Sequence, residues 1–132
     1  MRDVIQTRQA PAAIGNYSQA IKVGNTVYLS GQIPLDPESM LLVEGDIAIQ
    51  AARVFDNMQA VAEAAGGSLH QIVKLTVFLM HLPDLVIVNE LMNRYFQQPF
   101  PARTSIQVSA LPKGAAIEVD AIMVLDFPAP SS

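Results

Sequence analysis

Apolar and polar residues alternate in short runs near both ends of the chain, and this period of two is typical of half-buried strands. The predicted N-terminal strands are residues 2–6, Ser18–Val23 and Thr26–Ser30. The last two are joined by Gly24-Asn25, a pair that favours a tight hairpin turn because glycine adopts positive φ without steric cost. Pro34 and Pro37 lack amide donors, so Gly31–Glu38 is predicted to end the strand and form a loop.

Two central stretches have the three- and four-residue apolar spacing of amphipathic helices. The first begins at Asp46, whose carboxylate suits an N-cap, and ends at Gly66-Gly67, which suits a C-cap. The second follows Pro83 and runs to Phe96. Between them, Ile72–Met80 is rich in β-branched residues and predicts a strand.

The stretch from Phe100 to Val124 predicts two closing strands, Thr104–Val108 and Ala115–Leu125, linked by a turn at Leu111–Ala115. The element order is then βββ-α-β-α-ββ, with one β-α-β crossover. This order predicts an α+β fold with a mixed sheet and both helices on one sheet face. The other face is predicted to be apolar and uncovered, which favours contact with a second subunit.

Length and charge narrow the function classes. The 132 residues predict a single domain over 1–127, followed by a flexible tail at 128–132. The net charge of −4 and the lack of a basic run argue against nucleic acid, whose phosphates require clustered cations. Apolar runs fall short of the ~20 residues that cross a bilayer, so no membrane partner is predicted. With only 15% charged residues, the apolar excess is interpreted as a subunit interface.

The residue inventory also excludes several chemistries. The chain has no cysteine, hence no thiolate nucleophile and no sulfur-based metal site. His70 and His81 lie eleven residues apart with no second cluster beside them, so no metal site is expected. The N-terminus has no apolar export segment, which makes the cytoplasm the expected location.

Arg103 and Glu118 are the candidate catalytic residues because each places one charge in an apolar closing strand. A buried charge costs several kcal/mol unless it is paired or bound to a ligand. In one interpretation Arg103 pairs with Glu118 or Asp120. In the other its planar guanidinium binds a ligand carboxylate, and Glu118, with a raised pKa, serves as a general base for water. The residues alone leave both interpretations open.

Four further residues are weaker candidates for a binding site. Ser30 and Gly31 place a hydroxyl and an unencumbered backbone where a predicted strand ends, although most such pairs are simply turns. Tyr17 lies on a loop from which its ring can close over a pocket or pack into the core. Asn89, in an apolar helix, either caps a neighbouring backbone or touches a pocket.

Seven segments, taken together and in order, resemble the Rid family, the reactive intermediate deaminases also called the YjgF family. The segments span nearly the whole chain and are Pro11–Ala20, Tyr28–Pro37, Lys74–Leu79, Val88-Asn89-Glu90, Tyr95-Phe96, Pro101-Ala102-Arg103 and Leu111–Val119. The resemblance implies a chorismate-mutase-like α+β fold assembled as a homotrimer, with ligand clefts between subunits. It also implies hydrolysis of enamines and imines, such as 2-aminoacrylate and 2-iminopropanoate, to 2-oxo acids and ammonia without a cofactor or metal. A non-catalytic trimer that binds 2-oxo acids, or a regulatory or chaperone-like protein, is the alternative.

The same resemblance assigns roles residue by residue. Arg103 would hold the substrate carboxylate with help from the backbone at Ser105, and Glu118 would orient the attacking water. The remaining cleft residues would be Tyr17, Ser30, Gly31 and Asn89. Three positions depart from the family pattern: Ser105 replaces a common cysteine, His81 a usual aspartate and Met92 a common tyrosine. The departures bear on substrate range, and activity is expected to survive the loss of the thiol.

Overall fold

The computed structural model describes residues 1–125, so the predicted tail at 128–132 lies outside the described residues. One mixed sheet and two helices make up the fold. The strands are β1 (Arg2–Ile5), β2 (Ala20–Val23), β3 (Thr26–Gln32), β4 (Ile72–Leu79), β5 (Ala102–Gln107) and β6 (Ile117–Val124), and the helices are α1 (Ile47–Ala64) and α2 (Leu85–Tyr95). The predicted α+β class and element order are confirmed.

The sheet has the order β1-β2-β3-β6-β4-β5. Val23 pairs with Thr26, so Gly24-Asn25 forms the predicted two-residue hairpin turn, with φ of 60° at Gly24. Strand β6 lies between β3 and β4 and is antiparallel to both. Strand β5 runs parallel to β4 because α2 returns the chain across the sheet, which is the predicted β-α-β crossover. The C-terminal strand is thereby buried at the centre of the sheet.

Both ends of α1 carry the capping groups that the sequence indicates. The Asp46 carboxylate accepts a hydrogen bond from the amide of Ile49 at 3.1 Å. At the other end, Gly66 has φ of 92°, and the amides of Gly66 and Gly67 donate to the carbonyls of Glu63 and Ala62. This pattern is a Schellman cap, which glycine makes without steric cost.

The hydrophobic core lies between the sheet and the two helices. Alternate residues of β4 and β6 point toward the helices and are almost completely buried: Leu75, Val77 and Leu79 on β4, and Ile117, Val119, Ala121 and Met123 on β6. Helix α1 packs on β3, β6 and α2 with Phe55 and Met58 wholly inaccessible to solvent. The strict period of two fixes which side chains remain on the opposite face.

Several predicted strand boundaries near the candidate site are wrong. Strand β5 begins at Ala102 and so includes Arg103, and β6 begins at Ile117, two residues later than predicted. Strand β2 begins at Ala20 because the carbonyls of Ser18 and Gln19 instead accept hydrogen bonds from the hydroxyl and amide of Ser30. Strand β3 continues through Gly31 to Gln32, where a register shift lets Gln32 pair with Val119. The strand therefore passes through an irregularity of the kind made by a β-bulge before the prolines end it.

No element of residues 1–125 covers the second sheet face, as predicted, but this face is not uniformly apolar. Tyr28 neighbours Ile122, and Phe78 neighbours Ile106, while Glu118, Asp120 and Lys74 lie on the same face. Tyr28 and Ile106 are 51% and 41% exposed. Within the described part of the chain, no helix is long and apolar enough to cross a membrane.

Candidate functional site

Tyr17, Ser30, Gly31 and Glu118 share one cavity of about 550 Å³, here called the Glu118 cavity. Its floor is the junction of β3 and β6, and its walls are the loops that follow β1, β3 and β5. The apolar wall residues include Pro11, Ile14, Ile33, Leu35 and Met40. The structure thus brings together four of the seven sequence-predicted site residues, with three of them around the carboxylate of the fourth.

The β3 irregularity places the backbone of Gly31 directly against Glu118. A Cβ atom added at Gly31 would lie 2.9 Å from Cδ of Glu118 and would overlap its carboxylate. Leu29 pairs with Ala121 and Gln32 with Val119, so one extra residue of β3 is accommodated between these pairs, at Ser30 and Gly31. Glycine is required here for close approach rather than for turn formation.

The environment of Glu118 favours its protonated form. Burial, the larger effect, raises the pKa of the Glu118 carboxyl above its ordinary value, and the negative charge of Asp120 raises this pKa further. Asp120 acts from the same sheet face, two residues along β6. A carboxyl with a raised pKa is, when ionised, a stronger base toward water than an ordinary glutamate.

Gln19, which sequence reasoning missed, fastens the loop that carries Tyr17. Its buried side chain accepts from the Thr7 amide at 2.7 Å and donates to the carbonyls of Thr7, Ala10 and Pro11 at 3.0, 3.3 and 2.8 Å. The backbone carbonyl of Gln19 accepts a hydrogen bond from the Ser30 amide at 3.0 Å. Gln19 therefore fixes the loop after β1 through its side chain and contacts β3 through its backbone, while the Tyr17 hydroxyl accepts from the Ile14 amide at 3.3 Å.

Two buried amides of α1 fasten the remaining walls. Asn57 is fully buried and donates to the carbonyl of Leu35 at 3.0 Å, and Gln50 accepts from the amide of Ala116 at 2.9 Å. Leu35 belongs to the loop after β3, and Ala116 immediately precedes β6. The available sequence signal was a polar residue at two core-facing positions of an apolar helix, since such groups are buried only with partners.

Two further residues of the Glu118 cavity were also missed. Met40 and Lys113 line it, and both have positive φ, 61° and 58°. Few residues with side chains adopt this conformation. Lys113 lies in the turn that the sequence predicted at Leu111–Ala115, but its conformation cannot be read from propensity.

Arg103 and Asn89 lie together in a second cavity of about 420 Å³, here called the Arg103 cavity. Arg103 Nη1 donates to Asn89 Oδ1 and lies 3.3 Å from Met92 Sδ. Phe100 and Pro101 complete the rim. Because both contacts come from Nη1, the planar guanidinium is oriented by α2 while its Nη2 and Nε can address an anion side by side. Met92, one of the three residues that differ from the family pattern, therefore contacts Arg103. His81, another of the three, is exposed beside a turn.

Ser105 lies one pleat along β5 from Arg103 and on the same sheet face. Its neighbour across the ladder is Val77, which points toward the helices. Among the described residues, its Oγ is the buried side-chain polar atom that has no hydrogen-bond partner. Strand β5 is an edge strand, so part of its backbone faces away from the sheet.

Arg103 and Glu118 lie on opposite faces of the sheet. Arg103 pairs with Leu75 and Glu118 with Phe78, three positions further along β4, and successive side chains alternate between faces. Two strand spacings and three residues of rise separate their Cα atoms by ~14 Å. Asp120 shares the face of Glu118. The interpretation that Arg103 pairs with Glu118 or Asp120 within the chain is therefore wrong, because neither carboxylate lies on its side.

No group of three or more histidine, aspartate or glutamate side chains within residues 1–125 could hold a metal ion. The two cavities present one guanidinium, one carboxyl, the amine of Lys113 and several amide, hydroxyl and backbone groups.

Comparisons with known proteins agree along nearly the whole chain. The family model described as Endoribonuclease L-PSP matches residues 7–125. A 2-iminobutanoate/2-iminopropanoate deaminase of Homo sapiens is 47% identical over 124 residues, which cover 94% of this chain and 90% of that protein. RidA from an Antarctic Psychrobacter has a crystal structure that matches with a TM-score of 0.89 and 52% identity, covering 92% of this chain and 98% of that chain. The crystal structure of E. coli TdcF with bound serine matches with a TM-score of 0.86 and 37% identity, covering 92% and 98%. The chain therefore belongs to the Rid family, also called the YjgF family.

Proposed function

We propose that this protein is an enamine/imine deaminase that hydrolyses 2-imino acids, such as 2-iminopropanoate and 2-iminobutanoate, to 2-oxo acids and ammonia. The observation that carries the proposal is a carboxyl of raised pKa, Glu118, in an apolar cavity of a chain that also presents an oriented guanidinium, Arg103. Relatives at 44–47% identity bear the name 2-iminobutanoate/2-iminopropanoate deaminase.

Substrate recognition rests on the one charge that every 2-imino acid carries. Arg103 binds the substrate carboxylate through two parallel N–H donors, and Asn89 holds the guanidinium in the required plane. The exposed backbone of the β5 edge near Ser105 supplies further donors. The relative TdcF was crystallised with serine, a ligand that has the same carboxylate.

Glu118 supplies proton transfer. Ionised Glu118 takes a proton from a water molecule as the water oxygen forms a bond to C2 of the imine, and the C=N π electrons move to nitrogen. The nitrogen takes up protons, one of them returned by Glu118. The hydroxyl of the adduct then gives up its remaining proton, which the nitrogen takes up, and its oxygen forms the C=O bond as the C–N bond breaks. Ammonia leaves, and the 2-oxo acid remains. An imine carbon is already electrophilic, so orientation and one general base supply much of the acceleration.

The other residues of the Glu118 cavity shape the space around the reacting carbon. Gly31 lets the β3 backbone approach the Glu118 carboxyl. The Ser30 hydroxyl donates a hydrogen bond to the Ser18 carbonyl at 2.6 Å and so fixes this edge of the cavity. Tyr17, which is 53% exposed, covers the opening.

A complete site requires a second copy of the chain. Arg103 and Glu118 face opposite sides of the sheet, ~14 Å apart at Cα, which a small imino acid cannot bridge. The open sheet face exposes Tyr28 and Ile106. A neighbouring subunit that packs on this face would bring its own Arg103 to the Glu118 of the first subunit. We therefore propose a homotrimer in which each cleft combines the two cavities of adjacent subunits.

The word endoribonuclease in the family description does not suit this chain. A net charge of −4 without a basic run gives RNA phosphates little to bind. A non-catalytic protein that binds 2-oxo acids, the remaining alternative, would use the Arg103 cavity alone and have no need for a carboxyl of raised pKa.

The test is an assay in which a serine or threonine dehydratase generates 2-aminoacrylate and the loss of the imine is followed on adding this protein. We expect wild type to accelerate the loss and Arg103→Ala to abolish the acceleration. No acceleration by wild type, or full acceleration by Arg103→Ala, contradicts the proposal. Binding of pyruvate without turnover would favour the non-catalytic alternative.

Mixed assemblies test the shared site. Arg103→Ala and Glu118→Gln subunits, each inactive alone, are co-expressed with different tags and the mixed oligomer is purified. If each cleft takes one residue from each neighbour, every mixed trimer restores about a third of its sites, one cleft of the ring. No recovery in the mixed oligomer would place both residues of one site in the same subunit.

A further inference from the structure

Met40 occupies a backbone conformation that is unfavourable for its side chain. Its φ is 61°, in the left-handed region where the Cβ crowds the following carbonyl oxygen and where glycine or asparagine is preferred. A bulky residue that persists in this region indicates that the surroundings impose it, and such residues concentrate at ligand-binding sites. The conformation therefore raises the question of what the side chain does.

The loop around Met40 is closed by hydrogen bonds that impose this conformation. The Asp36 carboxylate accepts from the amides of Glu38 and Ser39 at 2.8 and 2.9 Å, which lowers its pKa. The Asp36 carbonyl accepts from the Met40 amide, and the Asp36 amide donates to Leu41, both at 2.9 Å. The turn is complete without any contribution from the Met40 side chain, so turn formation does not require methionine.

The Met40 side chain lines the Glu118 cavity. It is half-buried there, with Ile33, Leu35 and Ile14 as further apolar lining, while Glu118 and Ser30 form the polar end. Its immediate neighbour Leu41 is 68% exposed and does not line the cavity. Methionine is unbranched and polarisable, so it adapts to apolar groups of different shape.

We propose that Met40 is a specificity-determining residue that contacts the apolar side chain of 2-imino acids larger than 2-iminopropanoate. This inference rests on the proposed function, because it places the reacting carbon beside Glu118. The substrate side chain then extends along the apolar wall to the Met40 thioether. Small imino acids do not reach Met40 and are insensitive to it.

The experiment compares wild type with Met40→Gly, which removes the side chain and suits the positive φ, and with Leu41→Ala as the matched control. An amino-acid oxidase generates the imines of alanine and leucine, and semicarbazide traps whatever imine the protein does not hydrolyse. We expect Met40→Gly to reduce the leucine-to-alanine ratio of kcat/KM about tenfold, as loss of contacts in an apolar pocket does. Leu41→Ala should leave the ratio unchanged. An unchanged ratio in Met40→Gly overturns the proposal.

Binding measurements separate this proposal from the deaminase proposal. Isothermal titration with pyruvate and with 4-methyl-2-oxopentanoate should show that Met40→Gly weakens only the larger ligand. If wild type hydrolyses neither imine but Met40→Gly still loses this discrimination, Met40 keeps its role and the deaminase proposal fails. If Met40→Gly weakens both ligands equally, or neither, Met40 has no role in specificity. A melting temperature of Met40→Gly no lower than that of wild type excludes misfolding as the cause.

Discussion

The two cavities that contain the candidate residues are built in different ways. The Glu118 cavity lies on the central strands, and three buried amides, Gln19, Gln50 and Asn57, hold its loops. The Arg103 cavity lies at the edge strand β5 and is exposed, with Asn89 orienting the guanidinium. Partial burial suits a carboxyl that must take up a proton and return it, and exposure suits a guanidinium that must capture an anion from water.

Under the proposed function, chemistry and recognition are divided between two surfaces of one subunit. Changes in the Glu118 cavity should therefore affect turnover, and changes in the Arg103 cavity should affect binding. Substitutions in each cavity test this division.

Glu118→Gln should lower kcat for imine hydrolysis by about 10²–10⁴-fold, the usual contribution of a general acid or base. Binding of pyruvate, which needs no proton transfer, should change little. Steady-state kinetics and titration calorimetry measure the two effects. Asp120→Asn, which removes a carboxylate from the same sheet face, is the matched control and should alter kcat far less. Equal losses of turnover and of pyruvate affinity in Glu118→Gln would show that Glu118 acts in binding or structure instead.

Arg103→Lys should show the opposite behaviour. The ammonium keeps the charge but loses the two parallel donors, so KM and the Kd for pyruvate should rise about 10–100-fold while kcat changes less. Arg94→Lys, on the exposed last turn of α2, serves as the control. A fall in kcat with unchanged KM in Arg103→Lys would contradict the assignment of binding to the Arg103 cavity and of turnover to the Glu118 cavity.

Gly31→Ala should lower kcat about tenfold, because the new Cβ displaces the Glu118 carboxyl from the water that it orients. The melting temperature should change little, since the end of a glutamate side chain can move.

Gly24→Ala should instead affect stability and spare activity. No heavy atom lies within 4 Å of the added Cβ, but φ of 60° is unfavourable for alanine. That variant should lose about 1 kcal/mol of stability and keep its activity. Full activity in Gly31→Ala would show that catalysis does not need the close approach of the Gly31 backbone to the Glu118 carboxyl.

Most of the fold was predictable because its signals are local. Asp46 and Gly66-Gly67 mark α1 through hydrogen bonds to neighbouring backbone, and Gly24-Asn25 sets a hairpin through its own φ values. The end of β3 was misplaced because pairing of Gln32 with Val119 depends on a strand 87 positions later in the chain. No pattern within Gly31–Glu38 reveals that partner.

The candidate site was predictable only in part, for a similar reason. Arg103 and Glu118 stood out as single charges in apolar strands, but their opposite faces follow from register with β4, which is a tertiary property. Gln19 was overlooked since a glutamine beside a strand has no distinctive pattern until its four partners are known. The resemblance to the Rid family supplied the roles that residue patterns left open.

The smallest predicted effect concerns the stability of the folded protein. Because burial and Asp120 raise the pKa of Glu118, the folded state binds this proton more tightly than the unfolded chain does. The contribution of Glu118 to the free energy of unfolding is thus fully present below the ordinary glutamate pKa. It is lost as the pH rises through the higher pKa that Glu118 has in the folded state. Glu118→Gln should match wild type at low pH and be the more stable protein at pH 7. Urea denaturation at several pH values and a fixed protein concentration measures the difference, with the exposed Glu90→Gln as control. A wild type that gains stability over Glu118→Gln as pH rises would mean that Glu118 is stabilised as an anion, which is incompatible with a carboxyl kept poised for proton transfer.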